Sequence, residues 1–386
     1  MREFGTTVFA TMSALAVRTN SVNLGQGFPD TDGPPEMLEA AVQALRGGHN
    51  QYPPGLGIPE LRAAIAAHQQ RFYNLAYDPD SEILVTAGAT EAIAASILGL
   101  CEPGDEVVAF EPFYDSYGAC VALAQARLRP VTLRPDADRR YAFDPDELRR
   151  AFSARTRVVL LNSPHNPTGK VFTPDELSLI ASLCQEYDAI AVTDEVYEHL
   201  VFSDASSVHC PIATLPGMRE RTLRISSAGK TFSCTGWKVG WVSGPASLVQ
   251  AVTRVKQFLT YVNAAPFQPA VAVALGLPDA YYTEFAATLE RKRDRLAAGL
   301  AEAGFAPYRP EGTYFITADI RELGGSDGVE FCLSLPERCG VVAIPAQVFY
   351  ADPSRGRHIV RFAFCKRDEV LAEAVTRLRR LTEPAR

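Results

Sequence analysis

ILVTAGATEAIAASILGL, residues 83–100, runs from an apolar, strand-like segment (83–88) through a turn of small residues into a helical stretch. The same change of texture recurs. DEVVAFEP (105–112) leads into YDSYGACVALAQA, and TRVVLLNSP (156–164) leads through a turn into TPDELSLIASLCQEYD. Apolar runs alternating with amphipathic ones predict an α/β fold, a mainly parallel sheet covered by helices on both faces. The start of the last helix is well marked: Thr173 is placed as N-cap, Pro174 in the first turn, and Glu176 where a capping box needs it. AIAVTDEV (189–196), TLRISS (222–227) and WKVGWVSG (237–244) supply further strands, with irregular polar or glycine-rich segments after several strand ends. Ligand sites of such sheets form at those ends.

Beyond about Gly276 a long charged helix, YYTEFAATLERKRDRLAAGLAEAG, precedes the strand-like GTYFITADI, VVAIPAQVF and HIVRFAFCK and a final helix, RDEVLAEAVTRLRRL. This predicts a second lobe. The chain has no repeat and no free linker, so the lobes are expected to share an interface. NQYPPGLGIPELR (50–62) reads as an irregular loop ahead of a helix.

The totals narrow the function. A chain of 386 residues, 47% hydrophobic and 22% charged, can bury two packed lobes. The formal charge of −7 gives no footprint for nucleic acid or an anionic membrane, so small molecules are the expected partners. The opening MREFGTTVFATMSALAV lacks the apolar core and cleavage site of a secretory signal, and no later stretch reads as a membrane helix. A cytoplasmic location is expected. Eight cysteines without a CxxC pair suggest reduced structural thiols, with no metal site and no disulfide framework.

Several residues have chemistry to offer, each with a plain structural alternative. Lys230, in SSAGKTFSCTGWKVGW (226–241), lies among small and hydroxyl residues that let a ligand approach the backbone; a solvated loop lysine is the alternative. Lys238 could hold a phosphate or simply end a strand. Asp194, closing VTDEV, could keep a pyridine nitrogen protonated or could cap a helix. Ala89 and Thr90 could present amides to an anion at a helix N-terminus. Tyr114 could stack on a ring or pack in the core. Asn166, in NSPHNPTGK (162–170), could donate to a phenolic oxygen or satisfy its own turn, and His165 beside it has no partner that would make it an acid or base. Arg361, inside an apolar strand, needs a carboxylate, from a substrate or from an internal Asp or Glu.

In their order along the chain, NLGQGFPD, NQYPPG, GATEA, EPFYDSY, NSPHNPTGK, TDEVYEHLVF, SAGKTFSCTGWKVGW and VRFAFCK resemble a class I aminotransferase of fold type I over nearly the whole length. The likeness is to the branch containing kynurenine–oxoglutarate, glutamine and methionine transaminases, and within it to actinobacterial N-succinyldiaminopimelate aminotransferases. It implies a large domain at 36–279 that binds pyridoxal 5′-phosphate, a small α/β C-terminal domain at 280–386, and an N-terminal arm at 1–35 that begins the small domain.

The resemblance implies catalytic roles for Lys230, as Schiff-base lysine and proton shuttle, for Asp194 on the pyridine nitrogen, and for Tyr197, which shares the phenolic oxygen with Asn166. Tyr114 would be the ring platform. Ala89, Thr90, Ser227 and Lys238 would hold the phosphate, joined by Tyr52 from the second subunit of a homodimer. Arg361 would bind the substrate carboxylate with Asn166 and the Gly27 backbone, and Phe9 would border the side-chain pocket. Where kynurenine transaminases carry a tryptophan and a histidine around that pocket, this chain has Phe9 and NAAPF (263–267).

The expected activity is ping-pong transfer of an amino group from an L-amino acid to a 2-oxo acid, of the N-succinyldiaminopimelate:2-oxoglutarate type in lysine biosynthesis. The alternatives are a broad kynurenine, glutamine or methionine transaminase, or a cysteine-S-conjugate β-lyase. A regulator built on such a ligand domain would need a DNA-binding module, for which the residues ahead of NLGQGFPD leave no room. A nicotinamide oxidoreductase would need the GxGxxG signature, which is missing.

Overall fold

A computed structural model describes residues 7–382; the start of the 1–35 arm and of the MREFGTT stretch lies outside the described residues. The large sheet runs Ile83–Thr86, Gly240–Ser243, Thr222–Ser227, Ile190–Asp194, Thr156–Asn162, Glu106–Glu111, Arg127–Thr132, with Gly240–Ser243 antiparallel to both neighbours and the other pairings parallel. Its central strands are buried on both faces. Val107, Ala109, Val158, Leu160 and Val192 join Ile93 and Ile97 of the helix Gly88–Leu100, whereas Val108, Phe110, Val159, Leu161 and Ala191 join Leu177 and Ile180 of the helix Pro174–Glu186. Alternate residues therefore feed opposite helical layers, which is why these strands read as unbroken apolar runs.

The predicted capping box is present: Thr173 N–H donates to Glu176 Oε2 (2.8 Å) and Glu176 N–H to Thr173 Oγ1 (3.3 Å). Two strand readings need correction. Gly240, not Trp237, opens the strand in WKVGWVSG, because Thr235–Trp237 forms a 3-10 turn and Lys238 sits in the left-handed region at φ 55°. Arg127–Thr132 (RLRPVT) is a strand that reading the sequence passes over. It lies at the sheet edge, where charged residues and Pro130 are tolerated because one side of the strand has no ladder to complete.

A second, antiparallel sheet is ordered Ala306–Pro307, Phe315–Asp319, Ile359–Ala363, Ile344–Pro345. The N-terminal segment joins this side: Val22–Asn23 pairs with Val341–Val342, and Ala363 N–H donates to Leu24 O (2.7 Å). One apolar cluster spans both sheets, from Phe110 and Phe172 to Phe315, Leu335 and Val360, so the two parts share a core. Among the described residues no helix is long and apolar enough to cross a membrane.

Candidate active site

The strands of the large sheet end beside a cavity of about 310 Å³ between the two sheets. Every site residue expected from the sequence lines it except Tyr52, which is 81% exposed and meets the ring of Tyr261 at 5.5 Å. Ala89 and Thr90 come from the first turn of the helix Gly88–Leu100; Ser227, Lys230 and Lys238 come from the turn between two antiparallel strands. Gly240 brings these two regions together. A Cβ there would meet the Gly88 carbonyl carbon at 2.6 Å and the Ala89 nitrogen at 2.8 Å. The helix N-terminus, the Ser227 hydroxyl and the Lys238 ammonium thus line the same cavity, a donor set suited to a phosphate.

Lys230 is half-buried at the cavity wall, and desolvation lowers its pKa to about 8, against the opposing pull of Cys365 and Asp194. Its Nζ lies 5.7 Å from the centre of the Tyr197 ring and 5.6 Å from that of Tyr314. A desolvated amine of this kind is nucleophilic near neutral pH. Asp194 caps no helix. Tyr117 OH donates to its Oδ2 (2.6 Å), and burial raises its pKa while that hydroxyl, the Val196 N–H and Lys230 oppose the rise. Asp194 forms no ion pair among the described residues, so a protonated ring nitrogen would supply the countercharge it lacks.

Arg361 has no internal carboxylate partner among the described residues. It donates from Nη1 to Asn166 Oδ1 (3.0 Å) and from Nη2 to Gly25 O (3.1 Å), while its Nε is buried without a partner. Three rings surround the guanidinium, with centres 4.0 Å (Phe315), 5.1 Å (Phe349) and 5.2 Å (Phe9) away. Burial lowers even this pKa, to about 10. A guanidinium with an unused donor, opening on a cavity, is a seat for a carboxylate. Together, the phosphate donors, the desolvated Lys230 amine, the unpaired Asp194 carboxylate and this seat fit a pyridoxal phosphate with an amino acid in front of it.

Asn166 does not satisfy its own turn; Asn162 does, accepting from Asn166 N–H (2.7 Å) and donating to Pro164 O (3.1 Å) and Asp194 O (2.8 Å). That leaves the Asn166 side chain facing the cavity. His165 is structural: it is buried, contacts Thr168 Oγ1 (2.8 Å), and burial lowers its pKa to about 3. NAAPF does not line the cavity. Asn263 instead braces the phosphate side, donating to Thr86 O and Lys238 O, both at 3.0 Å.

Gln26, Val196, Thr235 and Phe315 line the cavity without having been singled out from the sequence. Gln26 stands inside the NLGQGFPD motif, and Tyr117 stands three residues after Tyr114 in EPFYDSY, so both had a local signal. Phe315 had none, because it reads as one more apolar strand residue.

Comparison with known proteins agrees with this geometry. The family model for aminotransferase class I and II matches residues 19–378. The chain belongs to the class I and II aminotransferases. It is therefore a transaminase of fold type I, and its cofactor is pyridoxal 5′-phosphate. This aminotransferase is 55% identical to a "Probable N-succinyldiaminopimelate aminotransferase" of Mycobacterium tuberculosis, over 99% of this chain and 98% of the relative. A solved structure of the N-succinyldiaminopimelate aminotransferase from that organism superposes with a TM-score of 0.96 at 56% identity, covering 98% of both chains. The methionine aminotransferase of Escherichia coli is 39% identical over 98% of this chain and 97% of its own. The mouse kynurenine–oxoglutarate transaminase 3 is 40% identical over 95% and 86%.

Behind the site lies a buried polar network. Arg224 donates from Nε to Glu195 Oε2 (3.0 Å), His209 Nε2 contacts the same oxygen (2.9 Å), and Ser226 OH donates to Glu198 Oε1 (2.7 Å). His68, Glu198 and His199 come within 4.8 Å of one another, but the two imidazoles already bond each other (Nε2 to Nε2, 2.8 Å) and Gln69 contacts His68 Nδ1 (3.3 Å). Burial alone would raise the Glu195 pKa, yet Arg224 and His209 outweigh it and hold it down at about 2. The stability this pairing contributes is complete above the ordinary glutamate range and is lost as pH falls through about 2. Glu195→Gln leaves the buried Arg224 charge with only its longer contact to Glu198 (3.5 Å) and should destabilise the chain by about 3 kcal/mol. Urea unfolding at pH 7 reads this, and a change below about 0.5 kcal/mol would contradict the network's role.

Proposed function

We propose that this aminotransferase moves an amino group reversibly from N-succinyldiaminopimelate to 2-oxoglutarate, giving the corresponding 2-oxo acid and glutamate, a step of lysine biosynthesis. The observation that carries this reading is 55% identity over essentially the full length of both chains, well above the 39–40% to the methionine and kynurenine transaminases. Phe9 at the pocket wall, where kynurenine transaminases tend to carry a tryptophan, argues in the same direction.

Pyridoxal 5′-phosphate, when bound, supplies an aldehyde carbon for amine exchange and a ring that withdraws electrons from the substrate α-carbon. In our assignment Lys230 is the amine that anchors it and, once released, its Nζ takes the proton from the substrate α-carbon. Asp194 would balance the positive charge of the ring nitrogen, with Tyr117 keeping that carboxylate oriented. Asn166 and Tyr197 would donate to the phenolic oxygen, and Tyr114 would cover the ring face. Ala89, Thr90, Ser227 and Lys238 would hold the phosphate. Arg361, with Asn166 and the Gly27 backbone, seats the α-carboxylate and thereby aims the Cα–H bond at Lys230. Phe9 closes the side-chain end.

Tyr52 is assigned to the phosphate of a partner subunit, which makes a homodimer the working unit; its exposure on a single chain supports this. We place the enzyme in the cytoplasm and divide it into an arm (1–35), a large domain (36–279) and a small domain (280–386). The test is a donor screen against 2-oxoglutarate. N-succinyldiaminopimelate should give the highest kcat/KM, and a win by kynurenine, glutamine or methionine overturns the assignment. Pyruvate and ammonia released from a cysteine S-conjugate without an acceptor would mark a β-lyase.

A further inference from the structure

Thr313 has φ 68°, a β-branched residue in the left-handed region, and it is fully buried. Such strain persists only where the surroundings dictate it. Here they do. Glu311 and Gly312 N–H both donate to Gly169 O (2.9 Å), Thr313 N–H donates to Leu200 O (2.9 Å), and a Cβ on Gly312 would meet Leu200 O at 2.5 Å. The bend is thus pinned to the turn that carries Asn166 and to the segment just after Tyr197.

Its effect is to drive Tyr314 inward. Tyr314 is fully buried and stands behind the cavity wall, so it touches no substrate. Its hydroxyl donates to Gly27 O (2.7 Å), its ring meets Tyr197 edge-on at 5.3 Å, and the Lys230 amine lies 5.6 Å from its centre. The segment it grips, Gly25–Phe28, also receives Arg361 at Gly25 O (3.1 Å) and Lys366 at Phe28 O (2.8 Å). Tyr314 therefore lies between the strap that Arg361 also holds and the face of its own ring over which the reactive amine sits.

We propose that Tyr314 is a positioning residue: its hydroxyl holds the Gly25–Phe28 strap against Arg361 and its ring backs the Lys230 amine. This rests on the assignment of Arg361 and Lys230 above. The two functions separate by substitution. Tyr314→Phe keeps the ring and leaves Gly27 O unpaired. It should speed hydrogen–deuterium exchange in residues 24–30 while the rest of the chain exchanges as in the parent. It should also raise the KM of the amino donor about tenfold, with a smaller change in kcat. Tyr314→Leu removes the ring as well and should lower kcat in addition.

An unchanged KM in Tyr314→Phe, or exchange that quickens evenly over the whole chain, overturns the proposal. Should the leucine variant fail to fold, the phenylalanine variant still decides the hydroxyl's part. Failure of the Lys230 assignment is distinguishable, since it would show as turnover in Lys230→Ala and leave strap exchange in Tyr314→Phe as it was.

Discussion

Lys230→Ala loses about 10⁴-fold in turnover, the upper end of what a positioned acid–base group supplies, and with it the visible absorbance of lysine-bound cofactor. Single-turnover kinetics and absorbance spectra read both, and survival of either would remove Lys230 from the centre of the reaction. A second consequence concerns stability. The folded chain holds this lysine at a pKa of about 8, below the ordinary lysine value of 10.5, because desolvation penalises the charged form. A depressed lysine costs stability in full below the folded pKa and nothing once pH exceeds the unfolded one. Lys230→Met keeps the stem and discards the charge. Without cofactor it should be more stable than the parent by up to about 3 kcal/mol at pH 7, with the gap closing toward pH 10. A gap that ignores pH would mean the amine is hydrated after all.

Arg361→Leu should cut kcat/KM for amino acids by about 10²- to 10³-fold, the usual consequence of truncating one member of a buried, hydrogen-bonded charge pair. Lysine is not a conservative replacement, because an ammonium cannot lie flat among Phe9, Phe315 and Phe349 while donating to both Asn166 and Gly25. The informative comparison is between an amino acid and the corresponding amine without its carboxylate. The wild type should prefer the acid strongly, and the leucine variant should lose that preference without losing the residual rate on the amine. Since Arg361 is buried and pairs with no carboxylate among the described residues, its removal should leave thermal stability equal or higher. A large fall in stability with unchanged substrate preference would make it a structural residue.

The two variants probe different layers of legibility. Lys230, Asp194, Asn166 and Arg361 were readable because each sits in a short motif whose local chemistry is unusual for its secondary structure. A charged residue inside VRFAFCK or at the close of AIAVTD has few inexpensive explanations. Tyr314 and Phe315 carried no such signal, since aromatic residues opening an apolar strand are ordinary core. Tyr117 was visible in EPFYDSY, yet nothing along the chain couples it to an aspartate 77 positions away.

The sequence by itself determined the layered α/β architecture, the capped helix at Thr173, the family and nearly all of the cavity's polar residues. Those depend on periodicity, capping chemistry and short-range motifs, which are local properties of a chain. Only the tertiary structure decided that Asn162 and not Asn166 satisfies the turn, that Arg361 has no carboxylate partner among the described residues, and that a strained Thr313 aims Tyr314 at both Gly27 and Lys230. These outcomes depend on which distant segments meet, and on which donors remain unspent once they have met, and neither is encoded within any one stretch.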